Sequence, residues 1–313
     1  MEKTFKSYEE QIEILRSRGL LIENELETIK ILRNENYYNI INGYKDLFLE
    51  SGEVEKYKEN SKFNELYALY KFDREIRNIF LKKILIFENN IKSVIAYNFS
   101  KNYGHVDNIK LSNFDDERKN IKQISKLIAD IHGDIARQLG RDKSLTHYLE
   151  THGYIPLWVL VKIFTLGRVS KFYTLLKEKD RREISIEITK GFEVLEKDLK
   201  GYLKLISIFR NLCAHEERMY NFKSKNNANS PINIPKTVIH NRLNILGNRN
   251  GLFDLLICLK LLLEKEEFEK LFIKLEKSIT NLEKELTSID IKDVLKVMLF
   301  PDNWKTIKVL DKS

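Results

Sequence analysis

Between residues 64 and 99, in NELYALYKFDREIRNIFLKKILIFENNIKSVIAYNF, apolar side chains recur at Leu69, Phe72, Ile76, Phe80, Ile84, Phe87 and Ile91, three or four places apart, with no glycine or proline in the run. Such spacing returns to one side of an α-helix at every turn, and it predicts one long buried helix. Upstream, Ile12, Ile14, Leu15 and Leu20 with Gly19 predict a short amphipathic helix and its cap over Tyr8 to Leu21. Asn24, with Glu27 three places on, predicts the start of a second helix running toward NYYNIINGY, where Gly43 marks a stop or a close approach. After a polar stretch from Lys101 to about Arg118, the helical pattern resumes through ISKLIADIHGDIARQLG. Beyond the turn at Gly153 to Pro156, LWVLVKIFTLGRVSKFYTLLK reads as a core helix, a glycine break and a second helix with Ser170 as its cap. A further helix is expected from near Glu193 to about Phe222, then a loop-like stretch from Lys223 to Gly251, then helices through LFDLLICLKLLLEKEEFEKLFIKLEKSITNLEKEL. No repeat and no alternating strand pattern interrupts this. The expectation is an all-α fold, with an amino-terminal helical module over residues 1–60 and a helical domain over 61–313.

Composition agrees: proline is absent from the first 155 residues, and only Pro156, Pro231, Pro235 and Pro301 punctuate the rest. A net charge of +8 favours an anionic partner, although lysines that merely solvate helix faces give the same sum. Cys213 and Cys258 form no CxxC pair, which suits a reducing compartment, and MEKTFKSYEEQIEIL has no apolar leader. The most apolar run, YIPLWVLVKIFTLG, carries Lys162 and is too short to span a bilayer. A cytoplasmic protein with no membrane contact, no cofactor and no metal is the expectation.

Residues 209–221, FRNLCAHEERMYN, hold the candidate chemistry. On a helix at about 100° per residue, Asn211, His215 and Arg218 lie about 100°, 140° and 80° from Arg210, within one broad face. Cleaving RNA without a metal requires a group that takes the ribose 2′-OH proton or gives one to the 5′ oxygen, which an imidazole does near neutral pH. It also requires a fixed cation beside the phosphorane, and a guanidinium fork suits that role. Asn211 supplies a neutral amide to orient the imidazole or to bond a phosphate oxygen. Spacing alone is weak evidence, since six histidines give about one such arginine partner by chance, and Arg141 with His147 is a second instance.

RNLCAHEERMYN resembles the R-N-x-x-A-H-x-x-R-x-x-N signature of the Abi-like abortive-infection proteins, the AbiD/AbiF group of phage-resistance factors, whose core is the R-x4-6-H motif of HEPN ribonucleases. YEEQIEILRSRGLLI, NYYNIINGY, the long helix, LTHYLETHGYIPLWVLVKIFTLGRVSKFYTLL and LFPDNWK are similar to further blocks of that family, spread from about residue 8 to 305. Lys162 and Lys92 depart from its pattern, standing where members often have an acidic residue and an arginine.

The resemblance implies a HEPN-type helical bundle with carboxy-terminal helices, and a homodimer in which two motif helices face each other. It implies a toxin-like, metal-independent endoribonuclease leaving a 2′,3′-cyclic phosphate, restrained by a structured noncoding RNA. Arg210, Asn211 and His215 are the expected catalytic residues. Arg218, Asn221, Arg168, Lys171 and His147 are expected to contact RNA, with no role for DNA. Tyr37, Tyr38, Tyr44, Phe172 and Tyr173 are candidate base-stacking rings. The alternative is a non-catalytic module that binds RNA or pairs with an antitoxin through the same face.

Overall fold

The computed structural model describes residues 4–106, 109–189, 194–224, 237–245 and 250–310. Thirteen α-helices follow one another among them, with no strand: α1 (Tyr8–Ser17), α2 (Glu25–Glu35), α3 (Phe63–Tyr103), α4 (Arg118–Gln138), α5 (Lys143–His152), α6 (Leu157–Leu160), α7 (Leu166–Leu175), α8 (Glu178–Thr189), α9 (Glu196–Ala214), α10 (Val238–Arg242), α11 (Leu252–Leu262), α12 (Lys265–Glu285) and α13 (Ile291–Val297). The all-α expectation holds.

α3 is the axis of the molecule. Its 41 residues span about 60 Å at 1.5 Å per residue, and every apolar position that predicted it is buried. α12 lies along it on one side, while α6, α8 and α9 pack on it elsewhere, and α7 covers α9. Polar residues within the buried stripe tie α3 to these layers. Glu65 accepts the Ser288 amide at 2.7 Å, Lys83 reaches Glu267 on α12 at 2.6 Å, and Asn98 reaches Glu187 on α8 at 2.8 Å. Glu65, Lys83 and Asn98 thus each have a partner, which their desolvation demands.

The Asn24 cap forms as expected, accepting the Glu27 amide at 3.0 Å on α2, and α1 carries a reciprocal capping box of Ser7 and Glu10 that was not foreseen from the sequence. α2 does not run on into NYYNIINGY, because Asn36 adopts φ 66° and breaks it. The chain then re-enters a wide π-helical turn over Tyr38–Asn42. Ser170 is no cap. Thr165 caps α7 by accepting the Arg168 amide at 3.2 Å, and Gly167 falls inside the first turn, where a glycine does not break a helix. Residues 225–236 and 246–249 of the expected loop lie outside the described residues, as does Glu193. The described part of the loop includes α10.

A candidate cleft at the end of the motif helix

α9 buries Leu199, Leu203, Ile206 and Phe209 against its neighbours and delivers Arg210 and Asn211 in its last turn. It was expected to continue to about Phe222, but it stops at Ala214. His215 is the cap residue, Glu216 turns left-handed at φ 54°, and two bonds close the end: Glu217 N to Leu212 O at 2.9 Å and Glu216 N to Cys213 O at 3.4 Å. This is a Schellman turn with a glutamate in the place usually taken by glycine. Arg218 and Asn221 therefore leave the helix, and the single helical face expected for the four residues does not form.

The cause lies in α3. Asp73 is fully buried and accepts from the Tyr44 hydroxyl at 2.6 Å, the Tyr220 amide at 2.7 Å, the Met219 amide at 3.2 Å and the Arg77 guanidinium. To reach that carboxylate the chain must turn immediately after His215. Burial raises the Asp73 carboxyl above its ordinary value, against the opposing pull of Arg77, Tyr44 and the two amides. Burial likewise raises Tyr44 and Tyr220, whose rings stack at 5.4 Å. Arg218 donates to the Gly43 carbonyl, and Glu35 takes two bonds from Arg74 while Tyr70 donates to it. The amino-terminal helices are thereby fastened to the segment that follows the motif.

Between them opens a polar cleft of about 780 Å³ lined by His215, Arg218, Asn221, Lys223, Tyr38, Asn39 and Asn42, among others. Tyr38, Asn39, Asn42 and His215 are exposed, and neither asparagine carboxamide makes a hydrogen bond among the described residues. Arg210 and Asn211 do not line this cleft. Asn211 is exposed beside it, one turn before His215. Arg210 points toward α3, where its Nε faces Glu88 Oε2 at 3.5 Å; both atoms are buried without a hydrogen bond. Glu88 is meanwhile bonded to Lys92 at 2.7 Å. Arg210 is thus held by charge and not locked by geometry, and its terminal nitrogens have no partner among the described residues.

The remaining candidates are dispersed. Arg168 is paired with Asp130 at 2.8 Å and Asp134 at 3.1 Å on α4. Lys171 is half-buried beside Gln123, with its ammonium pushed down by burial. His147 lies exposed on α5. Phe172, Tyr173 and Tyr44 are buried, which removes them from base stacking; Tyr38 alone of the five is exposed. Burial pushes the Cys213 thiol up to about 12, making it a poor nucleophile. Asp73 and Glu88 escaped the sequence reading. The signal was present, because both acids sit in the apolar stripe, beside Phe72 and Phe87, and an acid there requires a buried partner.

Fold and site together define an all-helical protein on one long axial helix, whose motif helix ends at a polar cleft walled by the π-helical turn over Tyr38–Asn42. The chain belongs to the Abi-like protein family, whose family model matches residues 7–221. That match opens at the cap of α1 and closes at Asn221, so it includes His215, Arg218 and Asn221 on one side of the cleft and Tyr38, Asn39 and Asn42 on the other. Comparisons with curated proteins and with solved structures give no match. No described helix is long and apolar enough to cross a membrane, and no group of three His, Cys, Asp or Glu side chains among the described residues could hold a metal ion.

Proposed function

We propose that the protein is an abortive-infection factor of HEPN type, a metal-independent endoribonuclease acting at the cleft where α9 ends. The observation that carries this reading is the assembly of His215, Arg218 and Asn221, three members of the RNLCAHEERMYN motif, on one exposed polar cleft. The 2′ oxygen of the substrate attacks phosphorus and its proton passes to a base. The bond to the 5′ oxygen breaks and that oxygen takes a proton from an acid, which leaves a 2′,3′-cyclic phosphate and a 5′-OH. His215 supplies one of these roles and the His215 of a second copy the other, with the two α9 ends facing each other. Arg210, swung from Glu88, holds the scissile phosphate, Asn211 orients the imidazole, and Arg218 and Asn221 bind flanking phosphates. A structured noncoding RNA restrains the toxin in the cell.

One observation favours the non-catalytic alternative: Arg210 faces Glu88 and not the cleft. In that reading the same surface grips RNA or an antitoxin without cutting. His215→Ala separates the two. An enzyme loses cleavage of labelled RNA while keeping its affinity within about threefold, whereas a binder that never cut shows no activity in either protein.

A further inference from the structure

A second basic groove lies between α3 and α6. It measures about 850 Å³, shares no lining residue with the His215 cleft, and is walled by Lys92, Tyr97, Lys101, Trp158 and Lys162 with no acidic residue in its lining. Two large rings stand in solvent there, Tyr97 at 66% exposure and Trp158 at 47%. Lys101 is exposed with no partner among the described residues, and Lys162 is half-exposed, touching Ser144 at 2.8 Å with Asp142 at 3.7 Å. Lys92 lies deeper, bonded to Glu88.

From Trp158 a line of rings continues over the surface. Its centroids step to His105 at 6.1 Å, from there to Tyr154 at 5.6 Å, then to His152 at 6.0 Å and His147 at 6.0 Å. The three histidines are exposed. Exposed aromatic planes beside ammonium groups present two chemistries at once, a flat face for bases and a cation for phosphates. A protein partner would meet a continuous apolar patch, but Asn89, Ser93 and Ser100 interrupt this one.

We propose that this groove and its line of rings bind single-stranded RNA, with Trp158 and Tyr97 stacking bases and Lys101 and Lys162 on the phosphates. The choice of RNA over DNA rests on the function proposed above; the site itself does not require that the chain cut RNA.

The test uses the full chain and a fluorescein-labelled, fully 2′-O-methylated 12-nucleotide RNA, which lacks the attacking hydroxyl and cannot be cut by that route. Anisotropy titration should show Trp158→Ala and Lys101→Glu each weakening binding by about tenfold, with Lys101→Glu reducing the salt slope by about 0.7. Both positions are exposed, so circular dichroism and melting should match wild type. Of the two tryptophans, Trp304 is buried, so quenching of exposed tryptophan emission on binding reports Trp158 directly. Unchanged affinity in both variants with no quenching would overturn the proposal, as would tighter binding of DNA of the same sequence. Loss of a dimer in Trp158→Ala with RNA affinity intact would also overturn it, assigning the face to contact between copies. The methylated strand reads binding without cleavage, and cutting of the unmethylated strand by wild type is scored alongside, so the failure of either proposal is seen separately.

Discussion

Replacing Asp73 by alanine perturbs the joint that shapes the cleft. The carboxylate takes bonds from Tyr44, Arg77 and the amides of Met219 and Tyr220, all in the interior. Removing one member of a buried ion pair costs about 3–5 kcal/mol, and each buried amide left unpaired costs about 1–3 kcal/mol. These overlap, because relaxation at one donor relieves the others, so about 4 kcal/mol is the working figure for Asp73→Ala. At about 2 °C per kcal/mol for a chain of this size, the melting temperature should fall by roughly 8 °C. Asp73→Asn keeps one acceptor oxygen and should lose about half as much. Asp73→Ala with Arg77→Met should be more stable than Asp73→Ala alone, since no unpaired charge is then left buried. Thermal melts by circular dichroism and urea titrations read all four proteins. A melting temperature for Asp73→Ala within about 2 °C of wild type, or a double variant no better than the single one, would refute the reasoning.

Other expectations follow from neighbouring features. Arg74 holds the Glu35 carboxyl below its ordinary value through hydrogen bonds. Its contribution to stability is therefore complete above the unfolded value of about 4.3 and is lost as pH falls through the depressed folded one. Glu35→Gln should melt lower than wild type at pH 7, and the gap should close toward pH 3; a gap that widens on acidification would reverse the sign. Glu216→Gly relieves a left-handed residue at φ 54°, worth about 1–3 kcal/mol, less glycine's entropic cost of about 0.5–1 kcal/mol. Its melting temperature should rise by a degree or two, and a fall would show that the turn is unstrained. Phe209→Ala removes a fully buried ring that meets Phe222 edge-on at 5.4 Å. It should cost about 3–5 kcal/mol in a urea titration, and less than 1 kcal/mol would mean that the end of α9 is loosely packed.

What the sequence reveals here depends on range. α3 was legible because its three-and-four spacing persists from Leu69 to Ile91 and nothing in the run can end a helix. The caps at Ser7 and Asn24 depend on neighbours within three residues, so Asn24 could be read directly. The end of α9 was not legible, because A-H-E-E contains no glycine and the turn is imposed by Asp73, more than 140 residues away. The same holds for the cleft: Arg218 meets Gly43 across 175 residues, a distance no local pattern encodes. Ser170 and Thr165 are both plausible caps by residue type, and only the tolerance of the first turn for Gly167 decides between them.

The most direct test of the ribonuclease account is end-group analysis of RNA incubated with wild type and His215→Ala in excess EDTA. The account predicts products from the wild type alone, bearing 2′,3′-cyclic phosphate and 5′-OH ends and undiminished by the chelator. Cleavage that disappears in EDTA, that leaves 5′-phosphate ends, or that survives in His215→Ala would contradict it.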